Sequence, residues 1–277
     1  MVLELLEEIK SRAFEESGVP VLGVEATRTI AEKWGMKLKD VEIAALEAGI
    51  MPRRYLRNLG TVGLDGQKKL LKSKVAVVGL GGLGGYVCLA LARMGVGTLV
   101  LVDGDVFVDH NLNRQVLSEV SLLGKSKARA AGEAVARINP AVEVIVREEF
   151  ARAENLDVIL QGCEVVVDGL DNLPARFELE EAARRAGIPL VHGAIAGFLG
   201  QVTTIFPEDP GLKTLYGGAS VEKGAEAELG TPAATPMMVA AFQVQEVIKI
   251  LLGKGRLLRQ RLLMVDAESW TVEIVEL

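Results

Sequence analysis

Cysteine and histidine are nearly missing from this 277-residue sequence, which has two of each: Cys88, Cys163, His110 and His192. Two cysteines exclude a disulfide-stapled scaffold and any site built from four thiolates. Two histidines leave little for a histidine-based metal cluster. Aromatic residues are scarce too, at 4%. Positive charge is not in excess: 31 Lys and Arg face 37 Asp and Glu, for a net charge of −6. A duplex-binding surface normally carries the opposite sign, so nucleic acid is not an expected partner. The start, MVLELLEEIKSR, has no basic n-region or small-residue cleavage site. The one uncharged stretch of membrane-spanning length, 75–92, holds Gly79, Gly81, Gly82, Gly84 and Gly85. Those glycines weaken a lone helix and suit a buried strand, a tight turn and a buried helix instead. A soluble cytoplasmic protein is therefore expected, with no membrane partner.

What the sequence has in quantity is glycine, 30 residues, within an ordinary globular balance of 49% hydrophobic and 25% charged residues. That balance excludes disorder, collagen and coiled coil, and the length allows one large domain or two. Residues 1–50 read as an N-terminal helical extension. The segment 2–14 has Val2, Leu5, Leu6 and Ile9 at helical spacing, and 27–49 reads as a helix pair broken at Gly35. The pair superficially resembles a helix-turn-helix, but its second helix lacks a basic cluster. Residues 50–71 read as a polar, arginine-bearing connector to a second domain spanning 51–277.

From residue 73 strands alternate with helices. The apolar, valine-rich run 74–80 fits a strand covered on both faces. Further strands are expected at 98–103, 142–146, 163–169 and 188–193, with helices up to Met94, before Pro140, near 155–161 and over 173–187. This βαβ series implies an α/β, doubly wound, mostly parallel Rossmann-like sheet. Residues 197–206 alternate like an antiparallel strand, a long loop covers 207–232, a helix spans about 236–252, and two C-terminal antiparallel strands close the chain.

Gly79-Leu80-Gly81-Gly82-Leu83-Gly84 fits G-x-G-x-x-G between a strand and a helix. The first glycine permits the tight turn, the second admits phosphate to the backbone, and the third lets helix and strand pack closely. Amides at the helix N-terminus favour an anion. Asp103 ends the next strand, where an acid accepts hydrogen bonds from ribose hydroxyls. Asn111, Arg114 and Gln115 come after it, and Lys127 opens the next helix. A nicotinamide enzyme has no need of a guanidinium and an ammonium beside the phosphates, whereas a triphosphate losing pyrophosphate does. Asp168 and Asp171 stand at a strand end, where one acid can hold magnesium. Asp171 or Asn172 can equally cap the next helix.

These motifs, GLGGLG, D-x-D-x-V-x4-N-L-x-R-Q, the lysine and DGLDN, together resemble the ThiF/MoeB/HesA family over about residues 52–265. The family adenylates the C-terminal Gly-Gly carboxylate of a small ubiquitin-like sulfur carrier and releases pyrophosphate. The resemblance implies that Gly79, Gly81, Gly82 and Gly84 hold the phosphates of ATP and that Asp103 holds the ribose. It places Asp105, His110, Asn111, Leu112, Asn113, Arg114, Gln115, Lys127 and Asn172 at the nucleotide site, with Asp171 on Mg2+. The catalytic set is Arg114, Lys127, Asp171 and Arg57. RYLRN at 54–58 resembles the family's R-Y-x-R-Q, with Asn58 in place of glutamine; it makes Arg57 a finger reaching the ATP of a partner subunit, and so implies a homodimer. The family's C-x-x-C pairs are absent at 211–217 and near 260–270, so zinc is not expected, and the loop 207–232 has no cysteine for a thioester. Two alternatives stay open: a Rossmann NAD or FAD oxidoreductase, and a non-catalytic ATP-binding regulatory relative.

Overall fold

The computed structural model describes residues 2–217 and 224–277. Residues 218–223 of the expected long loop lie outside the described residues. The N-terminal segment holds α1 (Val2–Arg12), β1 (Phe14–Glu16), β2 (Val19–Leu22), α2 (Val24–Trp34), α3 (Leu38–Glu47) and β3 (Met51–Pro52). It is therefore not purely helical. The turn Ser17-Gly18, both residues at positive φ, folds Phe14–Glu16 back on Val19–Leu22 as a hairpin. Three short residues of strand leave too little periodicity for the sequence to show it.

Ile9, Leu22, Ile30, Val41 and Ala45 form a small hydrophobic cluster of their own in this segment. A second cluster, Val21, Leu46, Met51, Tyr55 and Leu71, joins it to the connector region. That expected polar connector is a 3-10 turn, Arg53–Asn58, succeeded by α4 (Leu59–Lys72), which Gly63 kinks. Val62, Leu70 and Leu71 are buried along α4, and this apolar stripe explains why it is a helix.

The main sheet contains β4 (Lys74–Val78), β5 (Thr98–Val102), β6 (Glu143–Arg147), β7 (Val165–Asp168), β8 (Leu190–Ala196), β9 (Leu199–Ile205), β10 (Arg261–Asp266) and β11 (Thr271–Glu276). Their order is β11-β10-β9-β8-β7-β4-β5-β6. The five strands from β8 to β6 run parallel, and β9, β10 and β11 are added antiparallel. Strand β4 pairs with β5 on one side and β7 on the other, so the chain reverses direction across the sheet at β4. Ligands of such sheets gather at the carboxyl ends of the strands there.

Helices α5 (Gly84–Met94), α6 (Lys127–Ile138), α7 (Ala153–Ile159), α8 (Leu173–Ala186) and α11 (Ala234–Leu252) cover the two faces. Two short helices, α9 (Leu212–Tyr216) and α10 (Glu226–Leu229), lie within the stretch expected to be loop. Helix α11 is long and apolar enough to cross a membrane by length and composition. Its Val239, Ala240, Val244 and Val247 instead pack into the largest core cluster, against α5, β8 and β9.

A buried polar cluster joins the N-terminal segment to the sheet domain. Glu42 of α3 is 1% exposed, lies 3.2 Å from Arg54 Nε and accepts a hydrogen bond from Tyr55 Oη at 3.1 Å. Burial pushes the Glu42 carboxyl up to about 7, against the opposing pull of Arg54 and Tyr55. Between about pH 4.5 and 7 the folded protein thus holds a proton that the unfolded chain has released. This contribution to stability is full below that window and is lost as pH rises through it. Chemical denaturation from pH 5 to 8 is expected to show parent stability falling relative to Glu42→Gln, which does not titrate. A stability difference independent of pH would contradict this.

Candidate functional site

The glycine loop leaves β4 by a turn that needs glycine at Gly79, where φ is 84°. A Cβ there would lie 2.5 Å from the carbonyl oxygen of Gly169, so the β4 and β7 loops touch backbone to backbone. Gly84 is likewise required, because a Cβ would collide with the Gly79 carbonyl. The loop between them is open to a ligand: at Gly81 a Cβ would meet Gln115 Nε2 only at 3.5 Å, and at Gly82 it would meet Arg114 Cγ at 3.7 Å. Gly81, Gly82, Arg114 and Gln115 thus converge in one cradle.

Inside this cradle Gln115 is buried and its Oε1 has no hydrogen-bond partner among the described residues. An orphaned buried acceptor is costly and marks a place where a ligand or water completes the bonding. Arg114 donates through Nη1 to His110 O at 3.0 Å and to Asn113 Oδ1 at 2.9 Å. Asn113 in turn donates to Thr231 O, which ties the 103–115 run to the segment preceding α11. Asn111 is buried and spends its side-chain oxygen on the Val108 N–H. That bond shapes the turn that carries Arg114. His110 and Leu112 are on the exposed side of that turn.

Asp103 accepts from the Leu80 N–H at 2.7 Å with one oxygen and from the Asp105 N–H at 2.8 Å with the other. The acid thereby fixes the glycine loop, and its remaining lone pairs are open to hydroxyl donors. Burial raises its pKa, opposed by those two amides. Lys127, at the first turn of α6, is buried and reaches Asp105 Oδ2 at 3.0 Å. Asp105 holds the ammonium in place beside Asp103.

Asp171 is exposed, with Asn172 Nδ2 3.3 Å from its Oδ1. Of the two candidates for the helix cap, Asn172 takes the role by accepting from the Ala175 N–H at 3.0 Å, so the Asp171 carboxylate is not spent on the helix. Its loop borders a cavity of about 680 Å³ on the open face of β8–β11, lined among others by Arg176, Ala194, Ala196, Gly200, Gln201 and Tyr216. Gly169, which touches Gly79, lies two residues before Asp171, so the loop that lines one end of the cavity also packs on the glycine turn.

Sequence reasoning named Asp168 as one of two acids that can hold magnesium but did not foresee the buried polar chain that it heads behind the cavity wall. Asp168, fully buried, faces His192 Nδ1 at 2.6 Å, and His192 Nε2 faces Tyr216 Oη at 2.9 Å. Gln201 Nε2 donates to the same phenol at 2.5 Å. Burial lowers the His192 pKa, so the ring is neutral. A carboxylate cannot donate, so Nδ1 carries the proton to Asp168 and Nε2 accepts from Tyr216. Arg176 places Nε 3.4 Å from Asp168 and donates to Leu170 O at 2.7 Å. One signal was available for it: Arg176 comes four residues after the cap residue Asn172, one helical turn on the same face.

Arg57 is not brought to this group. Its turn packs on the C-terminal end of α5, where Gly95 adjoins Tyr55, while the glycine cradle is at the other end. Eleven residues of helix separate the two ends by roughly 16 Å. Cys88 and Cys163 are buried. Burial pushes their thiols up to about 12 and about 11, so neither offers a thiolate near neutral pH.

The ThiF family model matches residues 55–277. The sequence is 42% identical over 227 residues to the SAMP-activating enzyme E1 of Haloferax volcanii, covering 80% of this chain and 84% of that one. It is 37% identical over 223 residues to the probable adenylyltransferase/sulfurtransferase MoeZ of Mycobacterium tuberculosis, covering 77% of this chain and 57% of MoeZ. The chain thus spans little more than half of that two-activity relative. Among solved structures, E. coli MccB with ATP superposes with a TM-score of 0.65 at 18% identity, over 99% of this chain and 87% of that one. PaaA superposes with a TM-score of 0.67 at 22% identity, over 81% and 82%.

Proposed function

The chain belongs to the ThiF family and is an adenylyltransferase, and from that premise we propose that it activates the C-terminal carboxylate of a small ubiquitin-like carrier ending in Gly-Gly. The observation that carries this reading is a loop shared by two spaces. One loop, 169–171, touches the glycine turn of a cradle with an orphaned buried acceptor and also lines a cavity whose Ala194, Ala196 and Gly200 leave room for an extended tail of small residues.

The reaction needs alignment and charge neutralisation rather than a protein nucleophile. A carboxylate oxygen of the tail attacks the α-phosphorus, a P–O bond forms, and the α–β anhydride bond breaks to release pyrophosphate. Arg114 and Lys127 face the oxygens on which negative charge grows, and the glycine-loop amides at the N-terminus of α5 hold the phosphates. Asp103 takes the ribose hydroxyls. Mg2+ at Asp171 would supply additional neutralisation of the phosphates, and the exposed carboxylate of that side chain fits it. Both buried thiols stay outside the chemistry, so the adenylate passes to its acceptor without an enzyme thioester. Arg57, at the far end of α5 from its own cradle, acts on the ATP of a second copy, and the working unit is a cytoplasmic homodimer.

The test is exchange of labelled pyrophosphate into ATP in the presence of a Gly-Gly-ended carrier. Exchange is expected with the intact carrier and is expected to vanish when its last glycine is removed or its carboxyl amidated. Exchange that ignores the carrier tail would overturn the assignment of substrate.

A further inference from the structure

Residues 1–50 lie outside the family match at 55–277, yet the structure builds them around the segment that leads to Arg57. Strand β3 pairs with β2 in parallel, Val21 opposite Met51 and Leu22 opposite Pro52, and delivers the chain directly into Arg53. Arg53 Nε donates to Glu16 at 2.6 Å. Arg54 and Tyr55 both converge on the buried carboxyl of Glu42. From the other side Asn139, at the end of α6, accepts from Arg54 and donates to Tyr55 Oη at 2.8 Å and to Ala92 O at 2.9 Å. Beyond Arg57, Asn58 donates to Gln67, which donates to Met94 O. Arg57 stands exposed between these two anchors, with no hydrogen bond or ion pair among the described residues.

We propose that the N-terminal segment is a mount that aims Arg57 at the ATP of the partner copy, with Glu42 as its positioning residue. This rests on the reading of Arg57 as a residue that acts across two chains. The physical argument is one of orientation. An apolar pair of the same volume would hold α3 against the turn at least as firmly as a buried carboxyl does. A carboxyl with two directional acceptors does something an apolar pair cannot: it fixes Arg54 and Tyr55 at defined angles, and with them the backbone that launches Arg57. A charged finger has to be held to about half an ångström to act in a transition state, and a misplacement of about 1 Å can cost about a hundredfold in rate.

The experiment uses mixed dimers isolated through two affinity tags. One chain carries Arg57→Ala and keeps its own site; the other carries Arg114→Ala and keeps its Arg57. Their mixed dimer is expected to recover carrier-dependent pyrophosphate exchange that neither homodimer shows. Adding Glu42→Ala to the chain that donates Arg57 is expected to lower the recovered exchange about tenfold or more, whereas adding it to the Arg57→Ala chain leaves it unchanged. Glu42→Gln, which keeps the shape and one acceptor, serves where Glu42→Ala does not fold and is expected to give a smaller loss with the same polarity. A loss that is equal on either chain means Glu42 only supports the fold and overturns the mount, as does no loss on the donating chain. If the parent pair fails to recover exchange, the two-chain reading of Arg57 falls, and the mount falls with it.

Discussion

Replacing Arg114 with alanine is expected to lower carrier-dependent pyrophosphate exchange by about 10²- to 10³-fold, or roughly 3–4 kcal/mol of transition-state stabilisation. The side chain is well placed to separate chemistry from folding. Among the described residues its hydrogen bonds run only to the His110 carbonyl and the neighbouring Asn113. Thermal stability is therefore expected to stay within about 2 °C of the parent, since lone partly exposed contacts contribute little. ATP binding in the absence of carrier is expected to weaken less than turnover, because the charge that Arg114 answers grows as pyrophosphate leaves. Full exchange by the variant would remove Arg114 from the site and with it the assignment of the 103–115 run to the triphosphate.

The second large effect is on stability. Asp168→Ala is expected to cost about 3–5 kcal/mol, because it strands the partners of a buried carboxylate. Asp168 is fully buried; it answers His192 Nδ1 at 2.6 Å and the Leu170 N–H at 2.8 Å, with Arg176 Nε 3.4 Å away. Removing it leaves the largely buried Arg176 guanidinium without its counter-charge and the His192 Nδ1–H without its acceptor. At about 2 °C per kcal/mol for a chain of this size, the midpoint of thermal unfolding falls by roughly 6–10 °C. Asp168→Asn, which retains an acceptor for His192, is expected to lose about half as much. A midpoint for Asp168→Ala within about 2 °C of the parent would show that this network carries no such weight.

The two sites differ in how much of them could be read along the chain. The glycine cradle was legible because its requirements are local: Gly79 must take positive φ and Gly84 must clear the Gly79 carbonyl five residues earlier. Asp103 was legible because it lies one strand and one helix further on, where the fold repeats. The run of alternating strands and helices likewise implied a parallel sheet, since valine-rich strands covered on both faces have few other solutions. The hairpin at 14–22 escaped because strands of three and four residues carry almost no periodicity, and α4 escaped because its charged face masks a buried stripe.

The glycine turn and the sheet beneath it thus follow from the amino-acid order alone, since both depend on spacing within a contiguous stretch. Which distant polar groups share a buried space was settled only when the layers packed. His192 finds Asp168 and Tyr216 because β7, β8 and α9 meet there, and Glu42 finds Asn139 through Arg54 and Tyr55 between them. Packing also set Arg57 a helix length from the glycine turn of its own chain. The cause is the same in each case: a backbone turn is set by neighbours along the chain, whereas the partner of a buried charge is set by which layers come together.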